Sequence, residues 1–204
     1  MPVVPNRIYR DMNPLLIVPN EERKKRLDTN YYVEGYATTF DEPYMLFEWD
    51  GVKYYEKIDR KAFKSADMSD VIFQYNHTGR VYARNSNKTL GLEVDKHGLF
   101  VYADLSRTEG AKELYGDIAA EMVTKMSWAF TESERSFDRD TNTWTVLRVK
   151  KVYDVSAVSI PANPDTEISA RALLDGVIQE AAHRESMKRR IQILKIKTLL
   201  EEIR

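Results

Sequence analysis

His77 is the residue of this sequence best placed to move a proton. It follows the bulky run Val71-Ile72-Phe73-Gln74-Tyr75 and stands in the loop Asn76-His77-Thr78-Gly79, so its imidazole is carried at the end of a rigid strand. The two other histidines have plainer explanations. His183 lies in a charged helical stretch and reads as solvent-facing, and His97 belongs to the turn Asp95-Lys96-His97-Gly98. With three scattered histidines and no cysteine in 204 residues, disulfides, thiolate metal sites and thiol nucleophiles are excluded. A multi-histidine metal centre would need heavy carboxylate help, so no metal or cofactor is expected. Covalent catalysis then falls to Ser, Thr, Lys or a carboxylate, and a serine needs a base.

Ser127 has a suitable setting. In Lys125-Met126-Ser127-Trp128-Ala129-Phe130, strand alternation sends Met126, Trp128 and Phe130 to one face and Ser127, Ala129 and Thr131 to the other. The large side chains would fix the strand in a core. The small ones leave room for a substrate backbone, or else pack under another element. Asp154, in Val152-Tyr153-Asp154-Val155-Ser156-Ala157-Val158, is either solvated or buried beside a donor, because an unpaired buried carboxylate costs several kcal/mol. A histidine could be that donor, and so could Arg148 or Lys150 of the same strand; spacing alone does not choose.

Three zones carry these residues. Residues 1–30, with four prolines and a charged run from Glu21 to Asp28, read as an irregular N-terminal arm. Residues 31–165 are β-rich, with strands expected over Tyr31–Phe40, Val52–Ile58, Val71–Tyr75, Leu90–Val94, Leu99–Leu105, Met126–Thr131 and Thr143–Ile160. Asp95 to Gly98 marks a hairpin, with Gly98 at a turn position that favours positive φ. One amphipathic helix interrupts the strands. Ser106 and Glu109 have capping-box spacing, Thr108 is a competing cap, and Ala111, Leu114, Tyr115, Ile118 and Met122 form the apolar stripe. Residues 166–204 contain no proline and follow helical apolar steps, a helical basic C-terminal tail.

Charge divides the same way. The formal total is −1, yet residues 31–182 carry −7 while residues 183–204 carry +4. An acidic body is not the striped basic surface of a nucleic-acid-binding domain, so no specific nucleic acid is expected. No apolar run approaches the ~20 residues of a membrane span, and the N-terminal stretch lacks the pattern of a signal peptide. The expectation is a soluble intracellular protein with no membrane partner.

The ordered series of a strand then His77, the hairpin Leu92-Glu93-Val94-Asp95-Lys96-His97-Gly98-Leu99, a helix, Met126-Ser127-Trp128-Ala129-Phe130, and Asp154-Val155-Ser156-Ala157-Val158-Ser159-Ile160-Pro161-Ala162-Asn163-Pro164 resembles the prohead (capsid maturation) serine proteases of tailed bacteriophages. Tyr55 to Phe63 resembles that family's segment before its histidine, and the likeness covers about residues 31–165. It implies a mainly β, α+β fold: a herpesvirus-protease-like β-barrel with one inserted amphipathic helix. It also implies a serine endopeptidase with Ser127 as nucleophile, His77 as general base and Asp154 as the third member, where the herpesvirus enzymes carry a second histidine. Implied substrates are scaffold segments and the N-terminal extension of the major capsid protein, cut within the assembling procapsid in the host cytoplasm, with self-cleavage. A homo-oligomer is left open. Backbone amides within Pro161 to Pro164 are the guess for an oxyanion hole. The rival reading is a non-catalytic scaffold or capsid-binding adaptor on the same barrel, and the tail is either an assembly handle or a helix packed on that barrel.

Overall fold

The structure, a computed structural model, describes residues 8–16 and 24–159. Its elements in chain order are β1 (Ile8–Leu16), β2 (Tyr32–Thr39), β3 (Tyr44–Trp49), β4 (Val52–Ile58), β5 (Ile72–Tyr75), β6 (Thr78–Arg84), β7 (Leu90–Val94), β8 (Gly98–Asp104), α1 (Glu109–Ala119), β9 (Lys125–Asp138) and β10 (Thr143–Val158). The described residues are therefore mostly β with one helix, the α+β class. The tail over 166–204 and the guessed oxyanion-hole segment lie outside the described residues.

All ten strands belong to one sheet, along the path β3-β4-β10-β9-β1-β2-β8-β7, with β5 branching off β10 and β6 pairing with β5. A closed barrel was expected, and no ladder closes this path among the described residues. β1 joins the two halves of the path, pairing with β9 and with β2, and an isolated parallel bridge of Phe40 to Ile58 adds a contact between the end of β2 and β4, reinforced by Asp41 N–H donating to the Ile58 carbonyl at 2.8 Å. Asp41 has φ 59°, and that left-handed residue turns the chain away before β2 can run on beside β4.

β10 is the spine. One edge pairs along its length with β9. The other edge is covered in sequence by β4 at Thr143–Val146, by the connection around Ala62 and Asp67, and by β5 at Asp154–Ala157. In that connection the Val149 and Val152 N–H groups donate to the Ala62 and Asp67 carbonyls at 2.9 and 3.0 Å. The Asp67 side chain accepts from the Ser69 hydroxyl at 2.6 Å and Lys151 Nζ at 2.9 Å, which together hold its carboxyl well below the usual range. The climbing connection is what delivers β5, and the residues after it, to the far end of β10.

Alternation on β9 is as read from the sequence. Met126, Trp128 and Phe130 are fully buried on the core face, Trp128 stacks on Phe130 with centroids 3.9 Å apart, and Phe63 packs at 5.5 Å. Each such side chain contributes about 1.5–3 kcal/mol of burial. The helix begins at the competing cap: Thr108, not Ser106, precedes α1 and accepts from the Ala111 N–H at 3.2 Å. Ala111, Leu114 and Ile118 are buried as expected, but Met122 is 72% exposed. The helix has already ended, because Glu121 is left-handed (φ 59°), the Glu121 N–H donates to the Ile118 carbonyl and the Met122 N–H to the Asp117 carbonyl. That Schellman geometry turns Met122 off the helical face. Gly98 also differs from expectation. It does not have positive φ; a Cβ there would lie 2.0 Å from the Thr38 carbonyl oxygen, so close strand approach is what excludes a side chain.

The N-terminal arm is not wholly irregular. β1 enters the sheet between β9 and β2, pairing Arg10 with Trp128 and Asp11 with Ser127. Pro14 and the surrounding charge hide it from a propensity reading. Its register places Arg10 on the core face, where the buried guanidinium donates from Nε to Glu56 Oε1 at 2.5 Å and from Nη2 to Oε2 at 2.8 Å. The Tyr44 hydroxyl donates to the same carboxylate. Burial opposes the Arg10 charge, but the Glu56 carboxylate outweighs it and raises the guanidinium pKa further. Burial, then Glu56, pushes the Tyr44 phenol well up, so it stays a donor. Breaking such a pair strands a buried charge, so Arg10→Ala is expected to lose about 3–5 kcal/mol of stability in urea denaturation. The double variant Arg10→Met/Glu56→Leu is expected to recover most of that loss; equal stability of Arg10→Ala and the parent would show that β1 is not anchored this way.

Candidate active site

A β-bulge decides which side chains face Ser127. On the core face Phe130 lies opposite Val152 and Trp128 lies opposite Val155, so two valines three residues apart share one face. This requires an extra residue in β10, and the register shifts between Val152 and Asp154. Beyond the shift Asp154 lies opposite Ala129 and Ser156 opposite Ser127. Opposed residues share a face, so Asp154, Ser156, Ser127 and Ala129 all project from the side away from the Trp128 core. An unbulged ladder would have turned Asp154 to the other face.

His77 arrives from the third strand. β5 runs parallel to β10 with Gln74 beside Ser156 and Tyr75 beside Ala157, and Tyr75 then pairs with Thr78 of β6 across the two-residue turn Asn76-His77. Both turn residues are left-handed, with φ of 50° and 54°, as a type I′ hairpin demands. Asn tolerates that region. A histidine there holds strain of order 1–3 kcal/mol that surrounding contacts must offset. Those contacts are present. The Asn76 N–H donates to the Ala157 carbonyl at 2.9 Å, its Nδ2 donates to Ser159 Oγ at 3.3 Å, and its Oδ1 accepts from the Ser159 N–H at 3.2 Å. The His77 N–H donates to Ser156 Oγ at 3.2 Å.

The three side chains singled out in the sequence meet here. His77 Nδ1 lies 2.5 Å from Asp154 Oδ1, and His77 Nε2 lies 2.5 Å from Ser127 Oγ. Asp154 Oδ1 also accepts from the Ser156 hydroxyl at 2.9 Å. An ionised carboxylate only accepts, so the proton sits on Nδ1 and leaves Nε2 to accept from the serine hydroxyl. Burial strengthens the arrangement: Ser127 is 0% exposed, Asp154 2% and the His77 side chain 6%. A charge so deep needs donors, and His77 and Ser156 supply them. The other donors weighed for Asp154 are elsewhere, since Arg148 is exposed and pairs with Glu134 at 3.2 Å, and Lys150 is exposed.

Of the two readings of the small-residue face, room for a substrate or packing under another element, the structure shows the second, with Ser127 and Ala129 both fully buried. His97 takes no part. Its ring packs edge-on to Tyr36 with centroids 4.5 Å apart, and its main chain caps the Asp95 turn, where Asp95 Oδ1 accepts from the His97 and Gly98 N–H groups. His183 lies outside the described residues. Among the described residues no group of three or more His, Asp or Glu is arranged to hold a metal ion.

Two contributors escaped the sequence reading. Ser156 carried a signal, being two residues from Asp154 and hence on its face of a strand. Asn76 carried another: an Asn-led pair between two strand-like runs marks a tight hairpin, and the structure has that two-residue turn and β6 in place of the four-residue loop Asn76 to Gly79. The nucleophile–base–carboxylate geometry belongs to hydrolases of several unrelated folds. Comparison with known proteins narrows it. No curated protein and no solved structure matches the chain. The family model described as caudovirus prohead serine protease matches residues 19–188, a span that holds His77, Ser127 and Asp154, and the chain belongs to that family.

Proposed function

We propose that this chain is a serine endopeptidase of phage head maturation in which Ser127 is the nucleophile, His77 the general base and Asp154 the group that orients and charges the imidazole. The relay of two 2.5 Å contacts from Asp154 through His77 to Ser127 carries this reading. As Ser127 Oγ attacks the scissile carbonyl, Nε2 takes its proton and the imidazolium is held by the Asp154 carboxylate. The same proton then passes to the leaving amine, and a water activated by His77 releases the acyl group from Ser127. Acid–base catalysis contributes on the order of 10²–10⁴ in rate, so donors to the oxyanion supply much of the remainder.

Scaffold segments and the N-terminal extension of the major capsid protein are the proposed substrates, cut inside the assembling procapsid in the host cytoplasm, with self-cleavage of the chain. A distant kinship with the herpesvirus assembly proteases belongs to the same proposal. The complete burial of Ser127 is the observation that favours the rival, an adaptor whose serine never meets a peptide. Labelling by a serine-directed fluorophosphonate separates the two.

With a co-expressed capsid precursor as substrate, Ser127→Ala and His77→Ala are each expected to lower cleavage by about 10⁶, and Asp154→Asn by about 10⁴. Gel analysis of the precursor checks all three, and normal processing by Ser127→Ala protein would overturn the assignment. His97→Ala is expected to cleave at the parental rate; a strong loss would mean that the working histidine is the wrong one.

A further inference from the structure

We propose that Ser156 is a positioning residue of this site, its hydroxyl locking the His77 imidazole onto Asp154; the inference rests on the peptidase reading. Three hydrogen bonds close a ring. The His77 N–H donates to Ser156 Oγ at 3.2 Å, the Ser156 hydroxyl donates to Asp154 Oδ1 at 2.9 Å, and His77 Nδ1 donates to the same oxygen at 2.5 Å. One hydroxyl therefore ties both the backbone and, through the carboxylate, the ring of His77 to two points on β10. A histidine has only two side-chain torsions, and with both ends held neither has room to turn. The constraint matters because His77 sits in a left-handed turn (φ 54°), which relaxes readily once a restraint is removed.

The location argues against mere packing. Ser156 is fully buried in the middle of a strand, flanked by Val155 and Ala157. Valine or isoleucine suits such a position better, and a buried hydroxyl is costly unless it bonds. Here its donor and an acceptor lone pair are both spent on the Asp154–His77 unit. Asp154 Oδ1 accepts from two donors, which holds the carboxylate rotamer with that oxygen toward Nδ1 and so holds Nε2 toward Ser127.

Ser156→Ala is expected to slow fluorophosphonate labelling of Ser127, and kcat on a capsid-precursor peptide, about 10- to 100-fold, with KM changed less than about 2-fold. A low-field Nδ1 proton signal, assigned to His77 by its loss in His77→Ala, is expected in the parent and is expected to broaden away in Ser156→Ala. Ser156→Thr, which keeps the hydroxyl, is expected to restore both rate and signal. Ser156→Cys, similar in volume but a weak donor, is expected to be slow, and it serves if the alanine variant does not fold. A folded alanine or cysteine variant with parental rate and an intact signal overturns the proposal, as does a folded threonine variant as slow as alanine. A parent that never labels, yet shows a His77 signal that Ser156→Ala removes, would overturn the peptidase reading and support the positioning role.

Discussion

A carboxylate buried at Asp154 is the constraint on which the site is built. In water it would need no help; inside the sheet its charge costs several kcal/mol unless donors surround it. His77 and Ser156 are those donors; Ser156 reaches Asp154 by ordinary strand alternation, and His77 by a left-handed turn. A buried charge thus selects one arrangement of three strands over its neighbours. It also sets the tautomer that turns an ordinary serine hydroxyl toward a base.

Two departures serve it. The bulge between Val152 and Asp154 lets the core face keep its valines while the opposite face gains Asp154 and Ser156. The left-handed pair Asn76-His77 ends β5 abruptly and swings the imidazole over β10. The turn is held by contacts from β10 and the residue after it, through the Ala157 carbonyl, the Ser156 hydroxyl and Ser159. β10, which supplies these restraints, is also the longest strand of the described sheet.

The opposite face of β9 answers to a second buried charge. Arg10 enters beside Trp128 and finds Glu56 and Tyr44. A guanidinium placed there without a partner would expel β1; with one, it fixes β1 between β9 and β2 and joins the two halves of the sheet path. The strand bearing Ser127 is thus held on one face by aromatic packing and this ion pair, and on the other by the Asp154 relay.

Much of this was legible locally. Period-two alternation placed Trp128 and Ser127 on opposite faces of one strand, and helical spacing marked Ala111, Leu114 and Ile118, because these properties depend on neighbours a few residues away; the absence of cysteine excluded thiol chemistry and left Ser, Thr, Lys or a carboxylate. Other features were not. β1 is a strand because Arg10 has a partner 46 positions along the chain, and Gly98 is required because Thr38 comes close. By itself the amino-acid order determined which residues were chemically capable: an imidazole after a strand, a hydroxyl among small neighbours, a carboxylate in an apolar run. Only the tertiary structure decided that they meet, since a one-residue bulge and a two-residue turn set the facing of Asp154 and His77, and long-range pairing, not local preference, determines where such irregularities fall.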